Sequence, residues 1–260
     1  MLSGDWSSDV CSSDLRPPRE QVARWLARGW LLEHRQGYRF SPELELLPAF
    51  FGPGEPQGRV VELGSGNGAL LFAAASQGPT TSQLLGLERQ PQLVRLATAN
   101  ARLRGSAART RFVLADIRQP PLAAGVADWV LLNPPFYPAG WGRESRTPER
   151  HRSTHELAGG LGDFLATTGR VLRPGGRAVV VYGPERLAEL LGELPAAGLW
   201  PRRLRLVVHR PRGTLARLFL EAVRLPPAGT AGLPAPLRTV GLQVDTVELD
   251  YAAARDGLDL

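Results

Sequence analysis

The sequence contains no lysine, a single cysteine and a single methionine. One cysteine, Cys11, cannot close an internal disulfide, and it excludes a cysteine-based zinc or iron–sulfur centre. No apolar run reaches the roughly 18–20 residues that a membrane span requires. The N-terminus lacks the basic-then-apolar pattern of a secretory signal. The four histidines, His34, His151, His155 and His209, lack metalloprotease spacing. His151 and His155 lie four apart, but Glu156 is the one acid beside them, so no metal site is expected. These absences predict a soluble, cytoplasmic, metal-independent protein. They leave the oligomeric state open, with a monomer expected.

What is present is a chain of 260 residues, 43% hydrophobic and 22% charged, enough to build a core. All 31 basic residues are arginine, as a GC-rich coding bias produces. The net charge of +6 is a separate matter and favours an anionic partner such as nucleic acid. Residues 5–15 read DWSSDVCSSDL, one translated frame of a common sequencing adapter. Residues 1–15 are therefore expected to be a non-native leader that replaces the natural start. Removing its acids Asp5, Asp9 and Asp14 raises the balance from +6 to +9.

Residues 20–32 carry Val22, Trp25, Leu26, Trp30 and Leu31 at helix-like spacing. Ser41-Pro42 predicts a helix start, and Gly52-Pro53-Gly54 its end. From residue 58, short apolar runs alternate with helical stretches. Strands are expected over 59–63, 84–87, 111–114, 128–132, 177–182, 203–209 and 216–223. Helices are expected over 68–76, 90–103, 157–172 and 184–197. This alternation predicts an α/β, Rossmann-like fold: a seven-stranded, mostly parallel sheet with helices on both faces. The domains read as 16–57, a helical and loop segment; 58–225, the sheet domain; and 226–260, an extension with one strand-like run after residue 239.

Glu62-Leu63-Gly64-Ser65-Gly66-Asn67-Gly68 joins the first of these strands to a helix. Such glycines permit a tight turn and close approach of a ligand to the backbone. Glu88, 20 residues after Gly68, stands where an acid can accept from ribose hydroxyls. Gly64, Gly66 and Ala69 also satisfy a loose dinucleotide pattern, so a nicotinamide oxidoreductase stays open. Asp116 follows the third strand, as a ligand-facing acid or as a turn carboxylate.

Leu132-Asn133-Pro134-Pro135-Phe136-Tyr137 ends the fourth strand, because adjacent prolines cannot continue it. Asn133 thus falls at the carboxyl edge of the sheet, where open α/β folds bind ligands. The Asn133 side chain and the Pro134 carbonyl offer two acceptors for a planar –NH2 group. They would orient its lone pair for in-line transfer without a histidine base. Phe136 offers a stacking face for an extruded base.

Together these stretches resemble the class I S-adenosylmethionine-dependent methyltransferases that carry an N-P-P-aromatic motif. Over about residues 37–224 the chain is most similar to the bacterial tRNA1(Val) adenine-37 N6-methyltransferase family. The resemblance extends to Gly37-Tyr38-Arg39-Phe40-Ser41, His155-Glu156-Leu157, 203–209 and Phe219-Leu220-Glu221-Ala222. It implies that S-adenosyl-L-methionine is the cofactor, held by Glu62, Gly64, Ser65, Gly66, Gly68, Glu88, Asp116 and Asn133. It implies that Asn133, Pro134, Pro135 and Phe136 hold the target amine, N6 of an adenine in tRNA. The family usually has Tyr-Phe after the prolines, whereas ribosomal RNA guanine-N2 methyltransferases often have Phe there. Release-factor glutamine N5-methyltransferases share the same motif chemistry.

Two basic clusters are the expected RNA contacts. Arg143, Arg146 and Arg150 follow the motif. Arg203, Arg205 and His209 alternate with apolar residues along 203–209. Each also fits a solvated face of an arginine-rich protein.

Overall fold

A computed structural model describes residues 21–26, 29–35, 40–135, 159–210, 212–226 and 242–250. The first 15 residues, Phe136, Arg143, Arg146, Arg150, His151 and His155 lie outside these. The strands are β1 (Gln21–Leu26), β2 (Gly29–His34), β3 (Arg59–Leu63), β4 (Gln83–Glu88), β5 (Thr110–Leu114), β6 (Ala127–Leu132), β7 (Leu172–Tyr182), β8 (Leu199–His209), β9 (Thr214–Arg224) and β10 (Gln243–Leu249). The helices are α1 (Ala69–Ala75), α2 (Pro91–Leu103), α3 (Leu161–Val171) and α4 (Leu187–Glu193).

β3 to β10 form one sheet in the order β10-β8-β9-β7-β6-β3-β4-β5. The strands from β7 to β5 along this order run parallel, β9 runs antiparallel to both its neighbours, and β10 lies parallel to β8. The sheet is mostly parallel with helices on both faces, as the alternation of elements predicts. It has eight strands rather than seven: the run after residue 239 becomes β10, so the C-terminal extension contributes an edge strand.

Both faces of the central strands are buried, which is why they read as continuous apolar runs. On β6, Trp129 and Leu131 face the layer built by α1 and the N-terminal segment, and Val130 and Leu132 face α3 and α4. Leu131 and Leu132 are fully buried, each contributing about 2 kcal/mol.

The N-terminal segment departs from expectation twice. The helix-like run at 20–32 is an antiparallel hairpin, with Arg24 opposite Leu31 and Glu33 opposite Val22. Spacings of three and four also suit a strand pair, and Gly29 disfavours a continuous helix. Arg24 and Glu33 are buried together, 3.6 Å apart, which hid the inward face from a hydrophobic reading. The helix expected from Ser41 is two 3-10 segments, Pro42–Leu46 and Pro48–Phe50. Ser41 makes no side-chain cap bond, and Pro48 lacks the N–H that would bond Leu44 in an α-helix.

Asn100, fully buried on α2, fastens the hairpin to the sheet domain. Its Oδ1 accepts from the Leu32 amide at 2.7 Å, and its Nδ2 donates to the carbonyls of Leu32 and Asn67, both at 3.0 Å. Arg104 donates to the Leu26 carbonyl at 3.0 Å. Asn100→Ala leaves three backbone groups without this partner. It is expected to destabilise the protein by about 2 kcal/mol, read as a lower urea midpoint.

Candidate active site

The carboxyl ends of β3, β4, β5 and β6 meet at one edge of the sheet and form a cleft of about 1160 Å3, its open mouth included. Glu62, Gly64, Ser65, Gly66, Glu88, Asp116, Asn133 and Pro135 line it together. Residues distant in sequence therefore converge, as the glycine loop and the Asn-Pro-Pro motif predict. Gly68 and Pro134 are the exceptions among the described cofactor and motif candidates: neither lines the cleft. Gly68 has φ +88°, and a Cβ there would stand 2.6 Å from Phe72 and 2.9 Å from Phe112, so its lack of a side chain serves helix packing.

The loop amides are already engaged. Gly64 and Ser65 both donate to the Leu87 carbonyl, at 2.8 and 2.9 Å. Gly66 donates to Glu88 Oε2 at 2.9 Å. The Leu71 amide, in the first turn of α1, donates to Glu62 Oε2 at 3.1 Å. A carboxylate thus occupies the helix start where a dinucleotide would place its pyrophosphate. The loop repels an anion and suits a cation, which removes the physical basis for the nicotinamide reading.

Glu62 is 2% exposed and Glu88 6% exposed. Burial raises the Glu62 carboxyl well above the ordinary carboxylate range; the Leu71 amide offsets this in part and the Glu88 charge adds to it. Burial also raises Glu88, against the amides of Gln90 and Gly66. Two desolvated carboxyls beside one cleft are a donor set for a cationic ligand that bears hydroxyls. Asp116 differs: hydrogen bonds from Arg118 hold its carboxyl at about 2, so it stays ionised at the rim.

Two buried polar atoms at the cleft lack a hydrogen-bond partner among the described residues: Ser65 Oγ and Asn133 Oδ1. An orphaned buried acceptor costs about 1–3 kcal/mol unless a ligand satisfies it. S-adenosylmethionine fits this site: its charge answers the two carboxyls, and its polar groups match the unsatisfied Ser65 Oγ.

The basic strand does not match its expected role. Arg203 pairs with Glu221 at 2.8 Å and lies 4.2 Å from the centroid of the Phe50 ring. Arg205 forms a two-pronged pair with Asp245 at 2.8 and 2.7 Å and also bonds the Ala49 carbonyl. Segment Pro48–Phe50 covers that face, and β10 supplies the carboxylate. Neither pairing is visible locally, because the partners lie 18 and 40 residues away. His209, half-buried at the end of β8, lies away from the cleft lining.

The cleft also has a wall that motif reading missed: His34, Phe40 and Leu44 from the N-terminal segment and Phe164 from α3. Phe40 belongs to the stretch singled out by resemblance. His34 carries no local signal, since its position depends on the hairpin that Asn100 ties down.

A family model described as a methyltransferase domain matches residues 55–198. The chain is 30% identical over 213 residues to a release factor glutamine methyltransferase from Rhodospirillum rubrum, spanning 73% of this chain and 62% of that enzyme. It is 32% identical over 205 residues to a 4-amino-L-phenylalanine/4-methylamino-L-phenylalanine methyltransferase from Streptomyces pristinaespiralis, covering 71% and 68% of the two chains. It is 28% identical over 172 residues to a tRNA1(Val) (adenine(37)-N6)-methyltransferase from Tolumonas auensis, covering 66% and 70%. In fold it resembles the geranyl diphosphate C-methyltransferase of Streptomyces coelicolor, with a TM-score of 0.52 and 15% identity over 70% and 77% of the chains. With a cleft built for a cation and a family match over more than half its length, the chain belongs to the methyltransferase-domain family and is a class I S-adenosylmethionine-dependent methyltransferase.

Proposed function

We propose that this methyltransferase modifies a conjugated –NH2 nitrogen, and that the nitrogen is N6 of an adenine in tRNA. The observation that carries the reading is the buried Asn133 Oδ1 at the cofactor cleft, which has no hydrogen-bond partner among the described residues. The bound cofactor supplies an electrophilic methyl group on a sulfonium. Asn133 Oδ1 accepts one N–H of the target amine. The carbonyl of Pro134 accepts the other, since proline neither donates nor continues a ladder there. Both contacts draw the nitrogen lone pair out of conjugation and aim it into the cleft. The nitrogen would release one proton to solvent as the N–CH3 bond forms and the S–CH3 bond of the sulfonium breaks, its electron pair staying on sulfur to leave a neutral thioether. Phe136 is assigned to stack on the base. Glu62 and Glu88 hold the cofactor's charge and ribose, Ser65, Gly64 and Gly66 shape its seat, and Asp116 meets the adenine at the rim.

The tRNA enzyme from Tolumonas auensis, named for adenine N6, and the excess of arginine support the RNA substrate. A second reading is the side-chain amide of glutamine in a release factor. It is favoured by the pairing of Arg203 and Arg205 with carboxylates, which removes two expected phosphate contacts. Labelled S-adenosylmethionine offered with total tRNA, with release factor and with 4-aminophenylalanine distinguishes the targets. Label recovered as N6-methyladenosine is the expected result.

Asn133→Ala is expected to lower the turnover number about 100-fold or more while leaving S-adenosylhomocysteine affinity within about twofold. Steady-state kinetics beside calorimetry checks the separation. The buried carboxyls give a pH signature. As pH falls through their raised range, Glu62 and Glu88 take up protons and lose their attraction for the cation. S-adenosylmethionine affinity is therefore expected to fall toward acid. The ligand-free protein behaves oppositely: a carboxyl whose folded pKa is raised costs stability above its unfolded value. Its Tm is expected to rise as pH is lowered toward the ordinary carboxylate range. Glu88→Gln is expected to flatten the affinity profile, measured by calorimetry over the same pH values.

A further inference from the structure

Between Glu62 and Asp116 the chain contains six arginines, Arg89, Arg95, Arg102, Arg104, Arg109 and Arg111, and one acid, Glu88. Glu88 is buried against the cleft, so it offers no countercharge to the outer surface. Elsewhere the described arginines commonly meet carboxylates: Arg118 meets Asp116, Arg173 meets Asp128, Arg186 meets Glu189, and Arg205 meets Asp245. A coding bias toward arginine explains their number but not this segregation of the acids.

Three of the six have internal duties. Arg111 bonds the carbonyls of Ala107 and Thr110. Arg104 is largely buried, bonds the hairpin carbonyls and has Glu45 beside it. Arg109 bonds the Pro79 carbonyl. Arg95 and Arg102 are exposed on α2. Seven residues apart, they fall two turns along one stripe, about 10.5 Å from each other. Arg102 lies in the last turn, where the helix dipole favours a cation. Arg95, in mid-helix, has no such benefit. α2 begins at the cleft, where Leu93 and Leu96 line the wall and the exposed Arg89 stands at the rim, sharing the field of Glu88 and Asp116. The stripe therefore leads from the reaction edge outward along the molecule.

We propose that Arg95 and Arg102 of α2 dock the phosphate backbone of the RNA substrate, the role that sequence reading gave to Arg203 and Arg205. This rests on the tRNA reading above. The partner is a polyanion whose charges repeat along a strand, which an uninterrupted cationic stripe complements.

The test measures binding of total tRNA across salt concentrations for the wild type, the double variant Arg95→Gln/Arg102→Gln, and Arg59→Gln/Arg212→Gln. The last removes the same charge from other exposed positions. S-adenosylhomocysteine affinity, expected to be unchanged in all three, confirms that each protein is folded. The expected result is a log–log salt slope shallower by about 1.5 for the α2 variant, with the control close to wild type. Wild-type methylation of tRNA with an unchanged slope in the α2 variant overturns the stripe and leaves the tRNA reading intact. An equal change in the control also overturns it. A wild type that neither binds nor methylates tRNA overturns both.

Discussion

One buried carboxylate organises the reaction edge. Glu88 ends β4 and accepts from Gly66 with one oxygen and from Gln90, the residue that caps α2, with the other, at 2.9 and 2.8 Å. It therefore sets both the glycine loop and the start of the helix beside it. Burial disfavours its charge, and the amides of Gln90 and Gly66 offset that cost in part. Glu62 repeats the device one strand over, with the first turn of α1. Ligand preference follows: the amides of Gly66 and Leu71 are spent on carboxylates, which disfavours phosphate there.

Much of this was legible in the sequence because the information is local. A glycine loop following an apolar strand, an acid after the next strand and an Asn-Pro-Pro break each declare a strand end. Parallel strands bring those ends to a single edge. Gly68 lies outside the cleft lining, since a glycine required for helix packing looks the same in sequence as one required for a ligand. The boundaries of the central strands follow their apolar runs closely, since both faces are buried.

The illegible parts are those decided by distant partners. Arg24 and Glu33 form a buried pair, so their charges disguised the inside of a hairpin as an outside. Pro48 divides an apparent helix into two short 3-10 segments. Arg203 and Arg205 look like a free basic face until β9 and β10 deliver Glu221 and Asp245. Charge alternation along one strand carries no information about which carboxylates the topology will place beside it.

The tether through Asn100 bears on how such chains are divided. The family match starts at residue 55, yet Asn100 and Arg104, inside it, spend their polar groups on backbone at residues 26–32. At the other end, β8 to β10 complete the sheet beyond residue 198, where the match stops. The segment that the family model matches is thus smaller than the sheet it belongs to. It carries a collar at each end, and the N-terminal one also supplies a wall of the cleft. Divergence of substrate can then proceed in the collar while the cofactor edge stays as it is.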